Sequence, residues 1–204
     1  MRDKPWFAVV YMFILTACFS SVLIGFSRLT RDRVLANEQL ALERAVLEVF
    51  PEIKIPSGMD VHRLFTELFE KSDAAAGAFV YRKDGQTAGY AVPVSGKGFW
   101  ARIQGIVGVS KDFKTITGIS FYEQSETPGL GARIIEDDFR GQFEGLIIGP
   151  VERPVGIRPV TETLSGGQVH AITGATQTCV RLETLINEDL AVWLAAMHQQ
   201  EGGQ

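Results

Sequence analysis

The feature that most constrains this chain is an uncharged run of 21 residues near its amino terminus. Residues 6–26, WFAVVYMFILTACFSSVLIGF, contain no Asp, Glu, Lys or Arg. At a helical rise of about 1.5 Å per residue, such a run spans the roughly 30 Å hydrocarbon core of a bilayer. We therefore expect residues 1–30 to be a membrane anchor with a single transmembrane helix, and residues 31–204 to form a separate domain.

Three other interpretations of this run are weaker. A buried core helix would be unusual at a terminus and without any polar face. A cleaved signal peptide normally has a shorter apolar region and a small-residue cleavage site. Leu15-Thr16-Ala17-Cys18 resembles a lipoprotein cleavage box, but the apolar stretch continues past Cys18 as far as Phe26. An uncleaved anchor accounts for the run best.

Charge is distributed unevenly along the chain. Residues 1–33 carry five Lys or Arg and two Asp, which is a net charge of +3. Since the whole chain has a net charge of −4, the remaining residues have a net charge of −7. An acidic domain argues against a dedicated nucleic-acid binder. Two cysteines cannot supply a disulfide framework, and the three histidines lack metal-ligand spacing, so we expect no metal site. Cations flank the anchor on both sides, which gives only a weak charge bias towards a cytoplasmic domain.

The domain mixes helical and strand-like patterns. Apolar stripes at helical spacing predict helices over 33–50 and 179–198, with a shorter amphipathic helix over 61–69. Four strand-like segments lie between them, at residues 78–81, 89–94, 103–109 and 115–122. Lys83-Asp84-Gly85 is typical of a hairpin turn between the first two strands. Helices flanking several antiparallel strands predict an α+β fold.

Two glycine-bearing segments are candidates for a binding site. Backbone N–H groups of residues 126–131, Glu-Thr-Pro-Gly-Leu-Gly, could bond the polar edge of a flat heterocycle, although an ordinary connection explains the segment as well. Residues 173–178, Thr-Gly-Ala-Thr-Gln-Thr, lead into the last predicted helix, whose N-terminal N–H groups favour a phosphate. The alternative is that Thr176 or Thr178 simply caps that helix.

The two segments together resemble a known family. Thr173-Gly174-Ala175-Thr176 is similar to the (S/T)GAT flavinylation motif, and residues 126–131 are similar to the ETPGLG element of the same proteins. These are the FMN-binding subunits of two bacterial ion-translocating complexes, namely the G subunit of the Rnf ferredoxin:NAD oxidoreductase and the C subunit of the sodium-translocating NADH:quinone oxidoreductase. The resemblance extends from the anchor to the closing helix. His170 stands where the family commonly has an acidic residue.

The resemblance implies an antiparallel-sheet domain with flanking helices that carries covalent FMN. In the family, a phosphoester joins the last threonine of the motif, here Thr176, to the FMN phosphate, and a separate Mg-dependent flavin transferase makes that bond. Further cofactor-binding positions implied by the resemblance are Thr173, Gly174, Ala175, Thr178, Glu126, Thr127, Leu130 and Gly131, with Lys97 and Trp100 as weaker candidates. No catalytic residue is implied, so we expect an electron-carrying subunit rather than an enzyme acting alone.

The resemblance also implies a location and partners. The family's flavin domain lies on the periplasmic side of the bacterial inner membrane, and we adopt that side against the weak charge bias. Its partners are the other membrane subunits of the redox complex and the flavin transferase. The length of 204 residues favours the Rnf G subunit, whereas residues 96–100 and 121–124 are more similar to the quinone-reductase C subunit. A stand-alone, membrane-tethered FMN carrier and a non-redox assembly module are the remaining alternatives.

Overall fold

The computed structural model describes residues 5–55, 60–72 and 77–201. The helices in this part of the chain are α1 (Pro5–Glu48), α2 (Asp60–Leu68), α3 (Asp137–Arg140) and α4 (Thr176–Glu201). The strands are β1 (Phe69–Lys71), β2 (Phe79–Lys83), β3 (Gln86–Lys97), β4 (Arg102–Ser110), β5 (Thr115–Glu123), β6 (Leu146–Ile147), β7 (Gly156–Arg158) and β8 (Gln168–His170). Two short 3₁₀ helices, Gly131–Ile135 and Gly141–Phe143, lie between β5 and β6.

Helix α1 is continuous over 44 residues, so the apolar run and the helix predicted over 33–50 belong to one element. Among the described residues it is the one helix long and apolar enough to cross a membrane. Near its carboxyl end, Val46 and Leu47 are fully buried, whereas Leu35 of the predicted stripe is 51% exposed. By its contacts the chain divides into two compact units, residues 1–39 and 40–204.

Strands β1 to β6 form one sheet in chain order, and every neighbouring pair is antiparallel. The predicted hairpin joins β2 to β3: Lys83 pairs with Gln86, and Asp84 and Gly85 between them have φ angles of 52° and 75°. Such a two-residue turn matches the twist of the strands that it connects. A separate parallel pair, β7 and β8, was not predicted, because strands of three residues show no hydrophobic period.

Two apolar clusters cover the faces of the large sheet. Ala91 and Val92 are adjacent in β3 and belong to different clusters, so the clusters lie on opposite faces. One cluster contains the predicted apolar face of α4, all of it buried: Leu182, Leu185, Ile186, Trp193 and Met197. The other contains the rings of Phe50, Phe69 and Tyr81, whose centroids are 4.7–5.6 Å apart. The predicted α+β class is confirmed.

Hydrogen bonds from α4 fix the helix against neighbouring strands and loops. The Asp189 carboxylate accepts the backbone N–H of Ser95 in β3 at 2.7 Å. The Asn187 side chain accepts the Val155 N–H and donates to the Val155 carbonyl, both at 2.8 Å. These bonds fix the middle of α4 against the end of β3 and against the loop before β7.

Candidate functional site

A small pocket forms where the two glycine-bearing segments meet. The segment 126–131 supplies one wall, and the turn before α4 together with its first residues supplies the other. The pocket has a volume of about 200 Å³ and is lined by Phe99, Thr127, Leu130, Gly131, Gly174, Ala175, Thr176, Gln177 and Thr178. Two segments that are about 45 residues apart in the sequence thus face the same space.

The N-cap residue of α4 carries no hydroxyl. The Cys179 N–H donates to the Ala175 carbonyl at 3.0 Å, which places Ala175, rather than Thr176 or Thr178, at the N-cap position. Alanine is among the poorer N-cap residues. The N–H groups of the first turn have no acceptor within the helix, and the helix dipole places partial positive charge there. This end of α4 therefore favours an anion.

The turn before α4 is held in place by local hydrogen bonds. Gly174 has a φ of +82°, a conformation that disfavours side chains, and the Ala175 N–H donates to the Ile172 carbonyl at 3.0 Å. The Ile172 N–H donates to the Cys179 sulfur at 3.4 Å. Burial raises the pKa of the Cys179 thiol, and the Ile172 hydrogen bond only partly offsets this effect. Cys179 thus fastens the turn and is a poor nucleophile.

Glu126, the first residue of the ETPGLG segment, lies behind the pocket wall. Its side chain is 5% exposed, and one carboxylate oxygen accepts the Thr178 hydroxyl at 2.7 Å. The other oxygen accepts the backbone N–H of Trp100 at 3.1 Å. The Trp100 indole N–H in turn donates to the Thr127 hydroxyl at 3.0 Å. One network of hydrogen bonds thus joins residues 98–101, the ETPGLG segment and α4.

Apolar side chains form the outer rim of the pocket. Phe99 and Leu130 are each 43% exposed, and Trp100 beside them is 67% exposed. The rings of Phe99 and Trp100 meet edge to face with centroids 4.9 Å apart. Exposed apolar groups around a cleft are typical of binding sites.

Lys97 does not line this pocket. It lies in an adjoining groove of about 380 Å³, which shares Gln177 with the pocket and is otherwise lined by Gly96, Lys97, Val180, Arg181, Thr184, Leu185 and Glu188. Among the described residues, the Arg181 Nε atom is buried without a hydrogen-bond partner. The groove therefore has two cationic side chains and one carboxylate among its lining residues.

His170 lies at the end of β8, shortly before the turn. Its backbone N–H donates to the Gln142 side-chain oxygen at 2.8 Å, and its ring Nδ1 is buried without a partner in the described part of the chain. No cluster of three or more His, Cys, Asp or Glu side chains suited to a metal is found among the described residues.

The structure brings most of the predicted site residues together. Those that line the pocket are Thr127, Leu130, Gly131, Gly174, Ala175, Thr176 and Thr178. Glu126 and Trp100 join them through hydrogen bonds, Thr173 lies exposed beside the turn, and Lys97 lies in the adjoining groove. Sequence reasoning missed Phe99 and Gln177. The sequence did offer a signal for Phe99, because it follows a glycine and stands next to Trp100, which was already a candidate.

Comparisons with known proteins agree with this geometry. Residues 98–191 match the family model of the FMN-binding domain. The chain is 45% identical over 92 residues to the G subunit of the ion-translocating oxidoreductase complex of Methanosarcina acetivorans, covering 45% of this chain and 44% of that protein. It is 32% identical over 142 residues to the C subunit of the Na(+)-translocating NADH-quinone reductase of Pasteurella multocida, covering 68% of this chain and 49% of that protein. The aligned parts thus span about half the length of these relatives.

A solved structure shows the same fold. The crystal structure of the C subunit of the Na(+)-translocating NADH-quinone reductase from Parabacteroides distasonis aligns with a TM-score of 0.67 at 23% identity, covering 80% of this chain and 94% of that one.

The fold is α+β, and the two motifs and the family match make the chain similar to flavin-binding proteins. Residues 98–191 form a domain of the FMN-binding family, and the resemblance to the Rnf G subunit and the quinone-reductase C subunit is confirmed.

Proposed function

We propose that this chain is the electron-carrying flavoprotein subunit of a membrane-bound, ion-translocating oxidoreductase complex of the Rnf type, equivalent to its G subunit, with FMN bound covalently to Thr176. The observation that carries the proposal is the meeting of the ETPGLG segment and the Thr173–Thr176 motif at one pocket. The 45% identity to a relative named as a G subunit supports that type.

The amino-terminal end of α4 suits the phosphate of FMN. The N–H groups of its first turn have no acceptor within the helix, so they and the positive dipole favour an anion, and Thr176 lines the pocket. The side chain of Thr176 is exposed, so a transferase can reach it. Thr173, Gly174 and Ala175 would shape the turn that presents this hydroxyl.

The apolar rim suits the flat ring of the flavin. Phe99, Leu130 and Trp100 offer exposed apolar surface, and Thr127 and Gly131 line the wall between them and α4. A volume of about 200 Å³ is smaller than the roughly 300–1,000 Å³ of typical ligand pockets. A flavin held here would remain partly exposed, so covalent attachment would prevent its loss and leave an edge open for electron exchange.

Attachment is a group transfer to the Thr176 hydroxyl. One bond forms between Oγ1 and the phosphorus next to the flavin in a flavin dinucleotide, the phosphoanhydride bond breaks, and AMP leaves. A threonine hydroxyl is a weak acid, so we assign removal of its proton to a separate Mg-dependent transferase. Bound FMN supplies one- and two-electron redox chemistry, while the residues of this chain hold and orient it.

Lys97 is proposed to contribute positive charge on the phosphate side of the site. Its groove adjoins the pocket at Gln177, where Arg181 is a second cation in an acidic domain. Arg181 follows Gln177 by four residues, and residues at this spacing share a helix face. Both cations would therefore offset the charge of a phosphate near the start of α4.

We further propose the location of the two parts. Residues 1–30 would anchor the chain in the bacterial inner membrane, and residues 31–204 would form the FMN-binding domain on the periplasmic side. The apolar helix and the ion-translocating complexes named for the relatives support the membrane anchor, and the periplasmic side is proposed from the family resemblance. The other membrane subunits of the complex would then supply and accept the electrons.

Denaturing electrophoresis under ultraviolet light tests the covalent flavin. The wild-type chain, expressed with a flavin transferase, should fluoresce, and Thr176→Ala should not. Thr163→Ala is the matched control, because it removes an exposed threonine hydroxyl from a loop outside the motif and the pocket lining, and it should retain fluorescence. Fluorescence that survives Thr176→Ala would overturn the assignment. Reversible reduction and reoxidation of the bound flavin then tests the electron-carrying role.

The C subunit of a sodium-translocating NADH:quinone reductase is a second candidate. It is favoured by the 32% identity that covers 68% of this chain. Deletion of the gene in its host separates the two candidates. Loss of ferredoxin-dependent NAD reduction by membranes supports the Rnf complex, whereas loss of NADH-dependent quinone reduction supports the quinone reductase. If both activities persist, a stand-alone FMN carrier is favoured.

A further inference from the structure

One buried carboxylate contacts two segments of the site besides its own. Glu126 accepts the Thr178 hydroxyl from α4 at 2.7 Å and the Trp100 backbone N–H at 3.1 Å. Thr178 is itself 3% exposed, so the first of these bonds is shielded from water. The contacts join residues that are 52 and 26 positions apart in the sequence.

Glycines leave the space that this carboxylate occupies. A Cβ atom at Gly98 would lie 2.5 Å from Glu126 Oε1. A Cβ atom at Gly131 would lie 2.5 Å from Thr178 Oγ1 and 3.0 Å from Glu126 Oε2. Real Cβ atoms do not approach so closely, so any side chain at either position would displace the network. The backbone at Gly98 and at Gly131 thus lies close enough to leave room only for the Glu126 side chain and its Thr178 partner.

The network is built around a buried ionisable group. A buried carboxylate is costly unless its oxygens accept hydrogen bonds, and here each oxygen has a donor. Its negative charge also lies against the first turn of α4, where the helix dipole is favourable. Removing either partner would leave a buried charge with fewer bonds, so the arrangement has one preferred geometry.

We propose that Glu126 is a positioning residue for flavin attachment rather than a contact of the flavin. Its carboxylate fixes Thr178, and with it Thr176 one half-turn earlier in α4, relative to the aromatic rim that follows Gly98. The acceptor hydroxyl and the surface for the ring are thereby held in one arrangement before the flavin arrives. This inference rests on the proposed attachment at Thr176.

The test compares the attachment rate in variants of the full chain. Glu126→Gln keeps the shape but removes the charge from both bonds, and Thr178→Val removes one bond altogether. In each variant we expect the rate at saturating transferase and flavin dinucleotide to fall about tenfold. The Michaelis constant of the transferase for this chain should change little, because the exposed surface of the chain that the transferase contacts is retained. Thr178→Ser restores the hydroxyl and should recover most of the rate. Circular dichroism would establish that each variant is folded.

Asp189→Asn provides the matched control. Asp189 is another carboxylate that bonds a backbone N–H between α4 and the β3 region, at 2.7 Å, but lies away from the pocket. It should leave the attachment rate unchanged even if it lowers stability. An equal slowing by Asp189→Asn would show a general effect of stability and overturn the proposal, as would a wild-type rate in Glu126→Gln.

Amide hydrogen exchange decides the proposal independently of the flavin. The Trp100 N–H should exchange at least tenfold faster in Glu126→Leu, whose side chain cannot accept the bond, than in wild type, and no faster in Asp189→Asn. A wild-type chain that takes no flavin would contradict the proposed function but leave this measurement intact. Unchanged exchange at Trp100 in Glu126→Leu would overturn the positioning role alone.

Discussion

At the scale of single residues, the candidate site is built largely from small side chains and backbone groups. Gly131 shows why. It is buried at the pocket wall, and an added Cβ would lie 2.5 Å from Thr178 Oγ1. The site therefore requires the absence of a side chain at Gly131, because the Thr178 hydroxyl occupies that space.

Gly131→Ala should lower the free energy of unfolding by about 1–3 kcal/mol through overpacking, and it should reduce the amount of covalent flavin. Gly141→Ala is the control, because Gly141 has a helical backbone (φ −60°, ψ −22°) with nothing within 4 Å of the added Cβ. That variant should be neutral or more stable by up to about 1 kcal/mol. Chemical denaturation and in-gel fluorescence measure both effects. Equal stability of the two variants would contradict the account.

The motif residues could be predicted from sequence, but the position of Glu126 could not. Residues 126–131 and 173–176 carry short, distinctive patterns that point to a site. The Glu126–Thr178 bond spans 52 residues and depends on how the sheet and α4 come together. A carboxylate in a loop has no periodicity to show that it is buried, so sequence reasoning placed it against the ligand.

At the scale of secondary-structure elements, long periodic segments were predictable and short ones were not. The apolar face of α4 and the β2–β3 hairpin follow directly from spacing and turn residues. The strands of two or three residues and the 3₁₀ helices between β5 and α4 have no period to detect. Their course is set by tertiary contacts, such as the Glu183 carboxylate that accepts the Ile157 N–H at 2.7 Å.

Helix α1 provides a test of membrane anchoring. Replacing both Ile14 and Ala17 by Arg should release much of the chain from membranes washed with alkaline carbonate, because each buried Arg costs about 2.5–3.5 kcal/mol at a helix centre. Replacing Val34 and Leu35 by Arg is the control. These residues lie on the same helix outside the apolar run, 49% and 51% exposed, so this variant should stay in the membrane fraction. Release of both variants, or of neither, would contradict a membrane-spanning run at residues 6–26.

At the scale of the whole molecule, the pH dependence of the free energy of unfolding depends on Glu183, which connects α4 to the β7 region. Burial alone would raise the pKa of Glu183, but the Ile157 N–H, the Arg153 side chain and the charge of Arg158 outweigh it and lower that pKa. Because the folded-state pKa is lowered, the ionised carboxylate stabilises the fold at any pH above its ordinary pKa of 4.5. This contribution is lost as the pH falls through the lowered pKa.

Glu183→Gln should therefore cost about 1–3 kcal/mol at neutral pH, and the difference from wild type should shrink as the pH falls below about 4.5. Denaturant unfolding across this pH range is the measurement. Glu162→Gln, at an exposed position, should change stability by less than about 0.5 kcal/mol at any pH. A difference for Glu183→Gln that grows in acid would refute the assigned sign.

Membrane orientation also belongs to the whole molecule. The positive charges near α1 slightly favour a cytoplasmic domain, whereas the proposed periplasmic location follows the family resemblance. Alkaline phosphatase fused after Gln204 should be active in intact cells, and green fluorescent protein at the same position should be dark. The reverse pattern would place the flavin domain in the cytoplasm.

The most direct test of the central claim is mass spectrometry of the wild-type chain expressed with a flavin transferase. Trypsin should release residues 141–181 as one peptide, because Arg153 and Arg158 both precede proline. We predict that this peptide gains the mass of FMN less one water and that fragmentation places the addition on Thr176. An unmodified peptide, or an addition on another hydroxyl such as Thr173, would contradict the account.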